Sequence, residues 1–287
     1  MEMGRISYSQ LSLYNECPMH WKLRYIDRVS IDKSSIHLVF GKAMHTTLQT
    51  YLETMYRESI KIADALNLYE ILEEELVKEF KEAEESYKEK PCNLKDIREF
   101  FNDGIFIIEW FKKHRADYFN KRNWELIGCE VPLNVELKNN IRFIGFIDVV
   151  LYHVPTNRYK IIDIKTSTRG WNKYQKKDKN KTSQLLLYKE FFAKQNNCVV
   201  ENIEVEYFIA KRKLWENTDF PQKRIQLFVP ASGVVSMNKV NKSLNHFIES
   251  AFDSSGGYVN KEKATPSKSA CRWCEFNQTE YCSVGVK

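Results

Sequence analysis

The sequence predicts an α/β fold: a mixed sheet flanked by helices, with a helical N-terminal part and a small cysteine-rich C-terminal cap. Three observations predict it. Up to about residue 120, apolar residues recur at helical spacing. From residue 126 onward, short stretches rich in Ile, Val and Phe read as strands. The last 25 residues hold three of the seven cysteines and little periodic pattern.

Taken in order, Ser7-Tyr8-Ser9-Gln10 reads as a capping box that opens a helix through Asn15. Pro18 suits the first turn of a second helix, through about Tyr25. Leu38, Met44, Leu48, Tyr51, Leu52 and Met55 mark a helix over 38–57. Residues 60–120 hold two or three more, with a break near Pro91. Strands are expected at 126–135, 141–153 and 159–166, then a helix at 182–195. Strands at 203–210 and 225–229 and a helix at 234–252 complete the pattern. The expected organisation is a single domain over 1–287. N-terminal helices run to 57, a helical insertion covers 58–122, the core covers 123–253 and the cap covers 254–287.

With 287 residues, 43% of them apolar, the chain can bury a core. Its net charge of +6 is mild, but the charges are segregated. Glu70–Lys90 carries nine Glu against four Lys, and Arg158–Lys181 carries nine Lys or Arg against two Asp. That distribution fits either solvated faces or a focused field. The N-terminus MEMGRISYSQ lacks the apolar core of a signal peptide, and no run of roughly 18 apolar residues exists. The expectation is a cytoplasmic, reducing setting with no membrane partner. There, seven cysteines point to metal or buried thiols rather than disulfides.

The sharpest chemistry lies in Gly145-Phe146-Ile147-Asp148 and Ile161-Ile162-Asp163-Ile164-Lys165, two strands with an acid among apolar residues. His153-Val154-Pro155-Thr156-Asn157-Arg158 between them is turn chemistry, so an antiparallel hairpin is expected. A turn centred between Pro155 and Thr156 sets Asp148 opposite Asp163, with Cβ atoms about 4.5–5.5 Å apart. Lys165 shares the Asp163 face, and Ile162 and Ile164 point the other way. Two opposed carboxylates in an apolar hairpin repel and are costly to desolvate, and a hard divalent cation, Mg²⁺ or Mn²⁺, relieves both. Such a site suits phosphodiester hydrolysis, with Lys165 orienting water or neutralising charge on the phosphate. The same pattern also fits a pair of acids satisfied by Lys or Arg, Lys165 included.

These residues carry a resemblance. Asp163-Ile164-Lys165 after an apolar strand, with Gly145-Phe146-Ile147-Asp148 before it, resembles the PD-(D/E)XK nuclease superfamily. More narrowly it is similar to the RecB-type branch, which includes CRISPR-associated adaptation nucleases and AddB-type nuclease domains. The restriction-endonuclease-like fold is the one this implies. Phe40-Gly41-Lys42-Ala43-Met44-His45 matches the branch's upstream His, so the resemblance implies that His45, Asp148, Asp163 and the Ile164 carbonyl bind the metal. Gln184-Leu185-Leu186-Leu187-Tyr188 matches its Gln-x-x-x-Tyr helix, which implies that Gln184 and Tyr188 face the same site. Glu130 stands where some relatives have an accessory acid.

Cys271-Arg272-Trp273-Cys274 and Cys282 need a fourth ligand, and Cys17 lies at the far end of the chain. Four thiolates suit zinc or an iron–sulfur cluster. The resemblance implies a [4Fe–4S] cluster on Cys17, Cys271, Cys274 and Cys282. Cys92, Cys129 and Cys198 show no partner spacing. The segment after the catalytic strand mixes base with aromatics. Arg169, Lys173, Lys176 and Lys177 suit phosphates, and Trp171 and Tyr174 suit unpaired bases. Lys211, Arg212 and Lys213 extend that basic surface. A mobile solvated loop explains the same composition.

The resulting expectation is a Mg²⁺- or Mn²⁺-dependent deoxyribonuclease, an exonuclease on single-stranded ends in repair, recombination or DNA-end processing. A helicase or recombination protein is its expected partner. The alternative is a non-catalytic nucleic-acid-binding protein with a zinc or iron–sulfur cysteine module.

Overall fold

The computed structural model describes residues 4–29 and 34–286. The chain opens with a short strand, β1 (Gly4–Ile6), and helices α1 (Tyr8–Glu16) and α2 (Pro18–Trp21), the latter continued by a wider turn to Ile26. Ser7 caps α1 by accepting from the Gln10 N–H. The Gln10 side chain does not complete the box, because it bridges the Arg5 carbonyl and the Trp21 indole. The helical stretch that follows is α3 (Ile36–Arg57), α4 (Ile60–Ala65), α5 (Leu68–Tyr87) and α6 (Leu94–His114). Asn93 and Asp96 cap α6 reciprocally just after the break at Pro91.

The strands are β2 (Trp124–Glu136), β3 (Ile141–His153), β4 (Arg158–Ser167), β5 (Ile203–Lys211) and β6 (Ile225–Phe228). A short helix, α7 (Lys173–Lys177), and α8 (Lys179–Asn196) connect β4 to β5, which run parallel. Helix α9 (Val234–Ala251) follows β6, and α10 (Lys268–Cys271) lies in the cap. The sequence reading missed β1, α7 and the one-turn α10, and the remaining elements fall within a few residues of expectation.

One detail of the pairing positions the site. β2 occupies one edge of β3 along nearly its whole length. The other edge is shared. β4 pairs antiparallel over Val149–His153, and β1 pairs parallel over Ile141–Phe143. The β3–β4 register is the one read from the turn, but the ladder stops at Val149–Ile162, one pair short of the two acids. Beyond that pair the sheet forks, and β4 continues beside β5, with Asp163 opposite Tyr207 and Lys165 opposite Ile209.

Alternation along β4 feeds a core on each face. Ile161 lies with Leu187 and Phe191 of α8 and Phe247 of α9. Ile162 and Ile164 lie with Phe40, Met44 and Leu48 of α3 and Phe111 of α6. The α/β class is therefore the one expected, with helices on both sides of a mixed sheet.

Candidate active site

Asp148, Asp163, Lys165 and His45 meet at the fork. The Ile164 N–H points toward β3, where the ladder has ended, and donates to Asp148 Oδ2 at 2.6 Å. A side chain thus takes the place of a missing ladder bond. Asp163 is 1% exposed. Lys165 Nζ donates to its Oδ1 at 3.0 Å and lies 2.7 Å from Oδ2, off line, so Oδ2 is buried without a hydrogen bond. Burial pushes both carboxyls up to about 6, and the Lys165 charge offsets only part of that.

His45 enters from α3, with Nδ1 3.5 Å from Asp148 Oδ2. Gly41, one turn earlier, lets the helix lie against β4. A Cβ there would sit 3.4 Å from the Thr166 hydroxyl. Burial, helped by the Lys165 charge, pushes the imidazole down to about 4, so it is neutral at pH 7 and free to donate a lone pair. Gln49, the next residue on that helix face, donates to Glu130 Oε1 at 2.6 Å and to the Asp148 carbonyl at 3.0 Å. Glu130 adopts φ +49° within β2, a conformation non-glycine residues enter rarely. Sequence reasoning missed Gln49, although its spacing from His45 was the available signal.

From α8, Gln184 accepts from Lys165 Nζ at 3.1 Å and donates to the Tyr188 hydroxyl at 3.1 Å. Gly145 makes room for Tyr188, which lies 3.2 Å from where a Cβ would stand. The geometry brings together every residue of the expected active centre. The donor set fits a hard cation: two buried carboxylates, one with an unsatisfied oxygen, a neutral imidazole and the adjacent Ile164 backbone.

The basic segment needs correction. Trp171 is 8% exposed and packs on Tyr207 at 4.8 Å, so it offers no face to a base. Gly170, at φ +88°, lets the chain turn the indole inward, and the Trp171 backbone N–H donates to Gln226 Oε1 at 2.7 Å. Tyr174 is 72% exposed beside Lys173. Trp215 is 56% exposed, with the Arg169 guanidinium 4.1 Å from its ring. Gln222 fixes that loop by bonding both the N–H and the carbonyl of Trp215. Arg212 and Lys213 are not free cations. They clamp Asp103 of α6 at 2.6 and 2.9 Å, and Lys213 also meets Glu99.

At the other end of the molecule, Cys17, Cys271, Cys274 and Cys282 line one cavity with Met19, Leu23 and Phe276. Burial pushes the Cys274 thiol up to about 11. Among the described residues, no three of these sulfurs lie mutually within 4.8 Å. His20 and Glu275, 3.0 Å apart, adjoin Cys274.

Comparison with known proteins adds three findings. The family model described as the PD-(D/E)XK nuclease superfamily matches residues 5–279. No curated protein matches the chain in sequence. Among solved structures, the chain is similar to a candidate exonuclease from Eubacterium rectale, at 12% identity and a TM-score of 0.46, over 85% of this chain and 80% of that one.

Proposed function

The chain belongs to the PD-(D/E)XK nuclease superfamily, and from that premise we propose that it is a divalent-metal-dependent deoxyribonuclease acting on single-stranded ends. The observation that carries this reading is the meeting of buried Asp163, Asp148 and a neutral His45 around the single Lys165 ammonium, with Oδ2 of Asp163 accepting no hydrogen bond. His45, Asp148, Asp163 and the Ile164 carbonyl would hold Mg²⁺ or Mn²⁺. Bound there, the cation supplies Lewis acidity at the scissile phosphate. Lys165, held between Asp163 and Gln184, presents its ammonium to the charge that builds on the phosphate. Gln184 and Tyr188 keep that ammonium in place. The RecB-type assignment rests on the Gly41–His45 and Gln184–Tyr188 matches. The arrangement supports one nuclease domain with a helical insertion over 58–122.

The same proposal includes a [4Fe–4S] cluster on the four cysteines. A tetrahedral zinc with Zn–S near 2.3 Å brings its sulfurs to within about 3.8 Å of one another. Four thiols lining one cavity are a ligand set that the cluster, or zinc, would take. A processing role in repair or recombination, alongside a helicase or recombination partner, fits this chemistry. So does the absence of any helix, among the described residues, long and apolar enough to cross a membrane.

The test uses end-labelled single- and double-stranded DNA with Mn²⁺, and compares the protein with Asp163→Ala. Loss of cleavage in the variant is expected. Cleavage that survives it would remove the site assignment. Cleavage by neither, with DNA binding intact, would favour a binding protein. Iron and sulfide analysis, with Cys274→Ser as control, separates a cluster from zinc.

A further inference from the structure

A groove on the α8–α9 side of the molecule has no part in the chemistry above. It consists of two concavities that share Lys179, Ser183, Lys239 and Val240, and are therefore continuous. Five lysines line it: Lys176, Lys177, Lys179, Lys239 and Lys242. Thr182, Ser183, Ser236 and Ser243 add hydroxyls, and no carboxylate lines either half. The nearest acid in sequence, Asp178, caps α8 by accepting from the Asn180 N–H at 2.9 Å and lines neither half.

Two features mark the groove as more than a solvated face. Elsewhere lysines find carboxylates, as Lys42, Lys138, Lys160 and Lys213 do. None of the five here pairs with one among the described residues, so their mutual repulsion is uncompensated. The groove also adjoins the catalytic centre through α8. Ser183 directly precedes Gln184, and Tyr8, on the groove's far half, donates its hydroxyl to the Asn180 carbonyl at 2.7 Å, on the helix that carries Gln184 and Tyr188. An occupant of the groove would therefore lie against the helix that reaches into the site.

We propose that this groove carries the phosphodiester backbone of the substrate strand outside the active centre, across α8 and onto α9. The proposal rests on the nuclease reading and adds a path to it. Regularly spaced anions match a row of cations and hydroxyls that contains no base-reading geometry. Binding is therefore independent of sequence and sensitive to salt.

The test reverses charge on α9, away from the catalytic residues, in Lys239→Glu/Lys242→Glu. The control is Lys61→Glu/Lys113→Glu, an equal change in net charge on the helical insertion. Both alter exposed side chains, and thermal midpoints verify folding. Fluorescence anisotropy with a single-stranded oligonucleotide of roughly 30 nucleotides is read in EDTA over a salt series. The α9 variant should bind at least about ten-fold more weakly, with a salt slope shallower by about 1.4, the value for two lost phosphate contacts. The control should stay within about two-fold of the wild type by the same screening argument. With Mn²⁺, the α9 variant should show a raised KM and an unchanged kcat. Equal weakening by both double variants, or by neither, overturns the groove as the path while leaving the nuclease reading intact. Groove-dependent binding without any cleavage overturns the nuclease reading and leaves the groove. A wild-type protein that binds no oligonucleotide overturns both.

Discussion

Asp163 is buried and Asp148 nearly so, and a single Lys165 ammonium serves both, so the centre is electrostatically unfavourable when both acids are ionised. Their folded pKa values near 6 exceed the unfolded value of 3.8, so what they contribute to stability is present below pH 4 and is lost as pH rises through 6. His45 works the other way. Its value is depressed from 6.5 to about 4, so its contribution grows as pH rises across the same window. The two acids outweigh the single imidazole by about one proton. A divalent cation takes the place of those protons. Mn²⁺ should therefore raise the melting temperature at pH 7.5, and the increment should vanish below about pH 5. Thermal melts with and without Mn²⁺ across pH check this, and an increment that persists at pH 5 would place the ion elsewhere. The two tryptophans of the basic region give a second contrast. Trp171→Ala removes a buried indole and should cost about 3–5 kcal/mol in urea unfolding. Trp215→Ala should leave stability unchanged and weaken oligonucleotide binding by about 1–3 kcal/mol, the worth of one stacked base. The reverse pattern would restore Trp171 as the stacking residue.

At the scale of elements, the forked sheet explains why acids can stand in an apolar hairpin. The turn at Pro155-Thr156 fixes the register, and the ladder ends before the acids, so the Ile164 N–H donates to the Asp148 carboxylate instead of to a ladder partner. This much was legible, because turn chemistry and alternation are local. The share of the β3 edge taken by β1 was not legible. Gly4–Ile6 is too short to show a pattern, and its partners lie more than 130 residues away. Trp171 and Trp215 were equally opaque, since both sit in polar segments and only tertiary packing separates them. The helical insertion is tied to the sheet by Asp103, buried between Arg212 and Lys213, with Arg212 also 3.5 Å from the Phe100 ring. Asp103→Ala leaves Arg212 buried without its carboxylate. It should cost about 3–5 kcal/mol, measured by the denaturant midpoint. A loss under about 1 kcal/mol would mean that apolar packing alone holds α6.

Across the whole molecule, charge and order are divided. The acidic face of α5 and the lysine groove lie on elements that pack against opposite faces of the sheet, which leaves one side hospitable to a polyanion and the other repellent to it. The cap is poor in apolar substance. From residue 259 onward, Cys271 and Phe276 are its buried apolar side chains, so the proposed group on the four thiols would supply much of its order. The first helices have other support, because Trp21 packs edge-to-face on Phe247 and Phe252. Cys274→Ser should therefore expose the cap to limited proteolysis while the core's melting transition moves little. Mass spectrometry of the fragments would locate the cuts, and cuts in 8–26 instead would reverse this dependence. That cysteine cavity also has a consequence in time. Cys17 is made long before Cys282, so during synthesis the first thiol waits without its last partner while the whole catalytic hairpin emerges. The cavity can close only after the acids of that hairpin have been made, and a chain cut short before Cys282 carries those acids but never the full enclosure.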